Sequence, residues 1–148
     1  MDDELPEPGI TGRRTFRVES DHTTNLFGEQ DEPPGLPAAT DATAGESVRV
    51  LGTPHLLAVV EFLGRESLRG QLPAGTGVAG IDAEVRHRRA VPVGTDVLAE
   101  TELTDVTDRT LTVEGRVVLE GSGELIGAVT NRLRVVRRDD FTDRIATE

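Results

Sequence analysis

Thr53-Pro54-His55-Leu56-Leu57-Ala58-Val59-Val60-Glu61-Phe62-Leu63-Gly64-Arg65-Glu66-Ser67-Leu68-Arg69 is the stretch whose reading decides the fold. Thr53 suits the N-cap of a helix and Pro54 its first turn, where a missing N–H costs nothing. Pro73 and Gly75 close the segment. Apolar residues cover nearly the whole circumference of its first half, which predicts a buried helix, not an amphipathic surface one. Glu61 is the single charge inside that apolar run.

Everything downstream of the helix reads as strand. From Gly77 to Arg88, Ile81, Ala83, Val85 and His87 alternate with Asp82, Glu84, Arg86 and Arg88, so one face is predicted to look inward. Val91-Pro92-Val93-Gly94 turns into a strand carrying Val97, Ala99, Thr101 and Leu103. Thr107-Asp108-Arg109 turns into Leu111, Val113, Gly115, Val117 and Leu119, and Gly121-Ser122-Gly123 into a last strand through Val136. Short turns between successive strands make an antiparallel meander.

Upstream, Arg14 to Ser20 alternates around Phe16 and Val18 and predicts one short strand. Residues 21–47 form a long, punctuated loop with Pro33-Pro34-Gly35 and Pro37, a length that points to a lid or binding loop. Asn25-Leu26-Phe27 is its one apolar knot, and Phe27 is the lid residue expected to meet a substrate. Residues 1–12 are expected to be frayed and 138–148 to be a solvated tail, leaving 13–137 as a single domain.

The order is strand, long loop, buried helix, four antiparallel strands. An α+β hotdog fold satisfies it: a curved five-stranded antiparallel sheet wrapped around one central helix. The sheet leaves an open edge, and the helix leaves apolar surface. Both are expected to be covered in a homodimer, with a pair of dimers as the larger alternative.

Composition narrows the function. At 148 residues the chain is one domain in size. It has no cysteine, which excludes disulfides, thiolate catalysis and zinc-finger or iron–sulfur sites, and no metal site is expected. The net charge is −11 and all 16 basic residues are arginine. That field repels phosphate backbones, so no nucleic-acid partner is expected. An acidic, lysine-free surface suits a salt-rich cytoplasm, although a GC-rich genome writes the same arginines. No run approaches ~20 apolar residues, so no membrane span is expected. The acidic start Met1-Asp2-Asp3-Glu4 is unlike a secretory signal, which makes the cytoplasm the expected setting.

Four residues stand out chemically. An isolated carboxylate such as Glu61 in an apolar helix costs several kcal/mol unless paired or hydrogen-bonded. His87 ends the inward-facing row of its strand and is expected to face the helix, where a carboxylate and an imidazole make an acid–base pair. Thr53 sits at the helix entrance, where backbone N–H groups collect. Gly80 interrupts a strand, which marks a bulge or a close approach of ligand to backbone.

Thr53-Pro54-x6-Glu61, then Gly80-x6-His87, then Arg89-Ala90-Val91-Pro92-Val93-Gly94, resembles the hotdog thioesterases of the fluoroacetyl-CoA thioesterase-like group, over roughly Val48 to Val136. The resemblance implies hydrolysis of an acyl thioester, on coenzyme A or a carrier protein, with no cofactor beyond the coenzyme A of the substrate. It implies a catalytic triad of Thr53, Glu61 and His87. It also implies that the Gly80 amide meets the thioester carbonyl and that Arg132 on the last strand contacts substrate. The 21–47 loop is longer and richer in Pro, Ala and Thr than the family's lid, so the acyl group is not set by the resemblance. On one straight helix, eight steps at ~1.5 Å separate Thr53 from Glu61 by about 12 Å, so either the backbone turns sharply after Thr53 or the site combines residues of two chains, and the two-chain site is preferred. The alternative is a non-catalytic hotdog protein that binds acyl groups or another apolar small molecule. A hotdog hydratase is less well matched, since Gly52-Thr53-Pro54-His55 lacks an aspartate before its histidine.

Overall fold

The computed structural model describes residues 4–30 and 35–146. Five strands form one antiparallel sheet in the order β1-β5-β6-β7-β4: β1 (Thr11–Arg17), β4 (Thr76–His87), β5 (Asp96–Thr107), β6 (Thr110–Leu119) and β7 (Leu125–Arg137). Helix α1 (Thr53–Ser67) lies across the concave face, touching β1, β4, β5, β6 and β7. This is the hotdog architecture the element order predicts.

Alternation explains the sheet. Val97, Ala99, Thr101 and Leu103 on β5, Leu111, Val113 and Val117 on β6, and Val129, Asn131, Leu133 and Val135 on β7 are buried every second residue. Leu56, Val60 and Leu63 bring the helix onto this surface beside Val97, Ala99, Val117 and Val129. Leu68 closes a second cluster with Leu103, Leu111, Val113, Leu133 and Val135.

Two glycines decide how closely the helix seats. A Cβ on Gly115 would lie 2.5 Å from Val60 Cγ1, and one on Gly127 would lie 2.4 Å from Leu56 Cδ2 and 2.9 Å from the Arg86 carbonyl oxygen. Gly127 is also the cross-strand partner of His87. Gly127→Ala is therefore expected to lift α1 off the sheet and cost about 1–3 kcal/mol. Urea denaturation measures it, and an unchanged midpoint would mean that the helix has slack there.

Several expectations are corrected. The helix N-cap is Gly52, whose carbonyl accepts from the His55 and Leu56 N–H groups at 3.0 Å; Thr53 is already helical and caps nothing. Within the chain, α1 buries one stripe, not its whole circumference: Phe62 is 64% exposed. Ile81 is 48% exposed instead of inward-facing. Residues 5–12 are packed, because Gly9 donates to the Leu103 carbonyl at 2.8 Å, Leu103 donates to Ile10, and Leu5 and Ile10 lie on the second cluster. Residues 1–3 of the expected frayed segment lie outside the described residues. The tail forms α2 (Arg138–Ala146), with no buried residue.

The 21–47 loop is better built than its composition suggests. A 3-10 turn (Ser20–His22) leads into β2 (Thr23–Asn25), which pairs with β3 (Arg49–Leu51) just before the helix. Asn25 is buried, and its Oδ1 accepts from the N–H groups of Gly28 at 3.1 Å and Val48 at 3.0 Å. Gly52 N–H donates to the His22 carbonyl, and Val50 bridges to Pro92. The loop is thus stapled at both ends over the helix entrance. Pro33-Pro34 lie outside the described residues.

Candidate active site at the helix entrance

The start of α1 and the end of β4 meet under the 21–47 loop. There Thr53 Oγ1 and His87 Nδ1 are 2.9 Å apart, joining residues 34 positions apart in sequence. The other ring nitrogen, Nε2, is buried and has no partner among the described residues. In one tautomer the Thr53 hydroxyl donates to Nδ1 and Nε2 carries the proton. In the other, Nδ1–H donates to Oγ1 and Nε2 offers a lone pair. A ring held at one nitrogen and unsatisfied at the other is equipped to take or give a proton.

The pair opens on a cleft of about 1250 Å³. Leu26, Leu36 and Pro37 of the loop form one side, Thr53 and His55 of the helix entrance another, and His87, Arg88 and Arg89 the third. A lining that combines apolar loop residues with a few polar side chains suits a small substrate with one reactive group. Leu36 and His55 belong to this lining although their residue types alone carried no signal for it.

Glu61 and Gly80 lie elsewhere in the same chain. Glu61 is two turns further along α1, and its carboxylate rests against Gly80: a Cβ there would stand 3.0 Å from Oε1 and 3.4 Å from Oε2. A Cβ at position 80 would crowd the carboxylate, which would have to give by a few tenths of an ångström. Six ladder steps at ~3.3 Å each put Gly80 and His87 about 20 Å apart along β4. Within one chain the carboxylate therefore does not face the imidazole; the four residues form two separate pairs, Thr53 with His87 and Glu61 with Gly80.

A bulge gives the two pairs a common face. Residues seven apart on a regular strand point to opposite faces. Here the pairing of β4 with β7 shifts between Gly80 and Asp82, so Gly80 lies opposite Leu133 and His87 opposite Gly127, with Ile81 as the extra residue. Gly80 and His87 consequently both look toward the helix, and Ile81 is thrown outward. Asn131, buried in the otherwise apolar row of β7, donates from Nδ2 to the Asp82 carbonyl at 3.1 Å and holds the bulge in place. Its position in an inward-facing strand row is the signal that could have revealed it.

The remaining candidates do not join either pair. Phe27 is 41% exposed and is not in the cleft lining, where its neighbour Leu26 stands instead. Arg132 is on the outer face of β7, donating to Asp82 Oδ1 at 2.9 Å. That hydrogen bond holds the guanidinium above the usual arginine range.

The family model of FlK, the fluoroacetyl-CoA-specific thioesterase, matches residues 37–139. The chain belongs to this family. It is a thioester hydrolase by family and a hotdog protein by fold. A search of curated proteins finds no match. Among solved structures, an alanine variant of the fluoroacetyl-CoA-specific thioesterase FlK superposes with TM-score 0.76 at 21% identity, covering 99% of this chain and 98% of that one. A Thermus thermophilus thioesterase superfamily member gives 0.75 at 18%, covering 97% and 93%. An FlK variant in complex with fluoroacetate and CoA gives 0.71 at 22%, covering 93% and 98%. At these identities the superpositions establish the fold of this family member and leave its substrate to the chemistry of the site. Among the described residues, no helix is long and apolar enough to cross a membrane.

Proposed function

We propose that the protein is a homodimeric, cytoplasmic thioesterase that hydrolyses a small acyl-CoA to free acid and coenzyme A, with each site shared between two chains. The Thr53–His87 hydrogen bond at the floor of the cleft carries this reading. β4 is an edge strand with an exposed stretch from Gly80 to Glu84. Unpaired edges invite a second strand. Antiparallel pairing of two β4 strands about a two-fold axis at Glu84, with Ile81 left out of the count as the bulged residue, sets Gly80 of one chain opposite His87 of its partner. Thr53 and His87 of one subunit then share a pocket with Glu61 and Gly80 of the other.

In that pocket the Gly80 amide and the N-terminal end of α1 polarise the thioester carbonyl. Water attacks the carbonyl carbon as Glu61 takes its proton. Alternatively the Glu61 carboxylate attacks first and water hydrolyses the resulting anhydride. In either course the C–S bond breaks and the thiolate takes a proton from His87, which Thr53 orients. The lining by Leu26, Leu36 and Pro37 favours a short apolar acyl group.

The test is thiol release from a panel of acyl-CoAs, read with a thiol reagent beside a thermal-shift screen. Release from at least one short acyl-CoA is the expected result. Thermal stabilisation by acyl-CoA without any release would instead favour the non-catalytic binder, which the separation of the two pairs within one chain permits.

A further inference from the structure

The geometry points to Arg88 as the anchor for a phosphate on the pantetheine arm of the substrate, an inference that rests on the thioesterase reading and identifies how the substrate's charged end is held. The chain carries 27 acidic residues against 16 arginines, so a guanidinium on its surface has acids to spare. The arginines flanking Arg88 are taken, Arg86 by Glu84 at 3.5 Å and Arg89 by Glu124, whereas Arg65, Arg69, Arg134 and Arg138 have no ion pair among the described residues but lie outside the cleft lining. Arg88 has no ion pair among the described residues, and it lines the cleft next to His87. Among the described residues, Asp21 is the one carboxylate in that lining.

The backbone beneath Arg88 is fixed. The N–H groups of Arg88 and Arg89 both donate to the Ile126 carbonyl, at 2.7 and 3.1 Å, which pins the end of β4 to the start of β7. The unpaired cation thus stands on a rigid support at the rim of the cleft that also holds the catalytic imidazole. Coenzyme A is polyanionic, and a net charge of −11 opposes its approach. A local guanidinium offers what that field denies, a forked set of donors shaped for phosphate oxygens. Coenzyme A and the phosphopantetheine of a carrier protein share this chemistry, because both carry a phosphate ester at the end of pantetheine.

Isothermal titration with coenzyme A, 4′-phosphopantetheine and pantetheine, on the wild type and on Arg88→Ala, tests the inference without requiring turnover. Arg88→Ala is expected to weaken coenzyme A binding about ten- to a hundredfold and to leave pantetheine binding unchanged. The wild-type preference for the phosphorylated ligand should shrink as salt rises. A loss shared by 4′-phosphopantetheine places the contact at the 4′-phosphate and admits carrier-bound substrates. A loss confined to coenzyme A places it at the nucleotide phosphates and excludes them. Equal coenzyme A affinity in wild type and variant, or an equal loss for pantetheine, overturns the anchor. Arg88-dependent binding without thiol release would leave the anchor standing and remove only the hydrolase reading. Thiol release with unchanged kinetics in Arg88→Ala would do the reverse.

Discussion

His87→Ala is expected to remain folded while releasing thiol from acyl-CoA at least about a hundredfold more slowly, the range a positioned acid–base group supplies. The imidazole is half-buried at the end of a strand and outside both hydrophobic clusters, so its loss opens no core cavity. Its one polar bond, to Thr53, connects two side chains that solvent can satisfy once separated. The defect should therefore fall on kcat, with KM little changed, because the ring acts on a proton that moves only as the C–S bond breaks. Thr53→Val sharpens the point. It keeps the shape of the threonine, removes the hydroxyl that holds Nδ1, and should lower kcat by less than the loss of the ring itself. Thr53→Ser, which restores the oxygen, should recover most of the rate. Near-normal hydrolysis by His87→Ala, with the melting temperature intact, would remove the imidazole from the mechanism.

The sheet and its helix were legible because period-two burial and an apolar run behind a proline are local patterns, although that run buries one stripe and not its whole circumference. What escaped is what depends on partners distant in sequence. Ile81 fits the inward row of β4 by alternation, yet the bulge ejects it. That bulge is stabilised from β7 by Asn131, 49 residues from the carbonyl it binds. Counting alternate residues put His87 on the inner face correctly but could not show that Gly80 shares that face, since seven steps of regular strand would separate them. Thr53 looked like a cap because Ser and Thr usually are. Gly52 took that role because its backbone is also bound to His22 of the loop, and the threonine hydroxyl was left for the histidine. The loop's order rests on the side chain of Asn25, a residue whose composition-level meaning is simply "turn". The candidate site was legible as residue types and spacings. Its division was anticipated from the eight helical steps between Thr53 and Glu61, but the bulge that turns Gly80 and His87 to one face was not.

That division yields the prediction with the largest contrast. Glu61→Ala and His87→Ala are each expected to be inactive as homodimers, by at least about a hundredfold. When the two variants are unfolded together and refolded as a mixture, activity should return. In a mixed dimer the Glu61→Ala subunit supplies an intact Thr53–His87 pair, and the His87→Ala subunit supplies an intact Glu61 beside Gly80. One of its two sites is then complete and the other lacks both groups. Random pairing makes half of the dimers mixed, so about a quarter of wild-type sites, and of wild-type activity, should reappear under two-fold symmetry. A site built within one chain predicts no recovery at any mixing ratio, because each chain is missing one of its own groups. The control is Glu61→Ala mixed with the double variant Glu61→Ala/His87→Ala, which restores no site in either geometry. Recovery confined to the complementary pair would fix the two-chain site. Its absence, with mixed dimers demonstrated by differently sized tags, would return Glu61 to a packing role beneath Gly80 and leave the hydrolysis to Thr53, His87 and water alone.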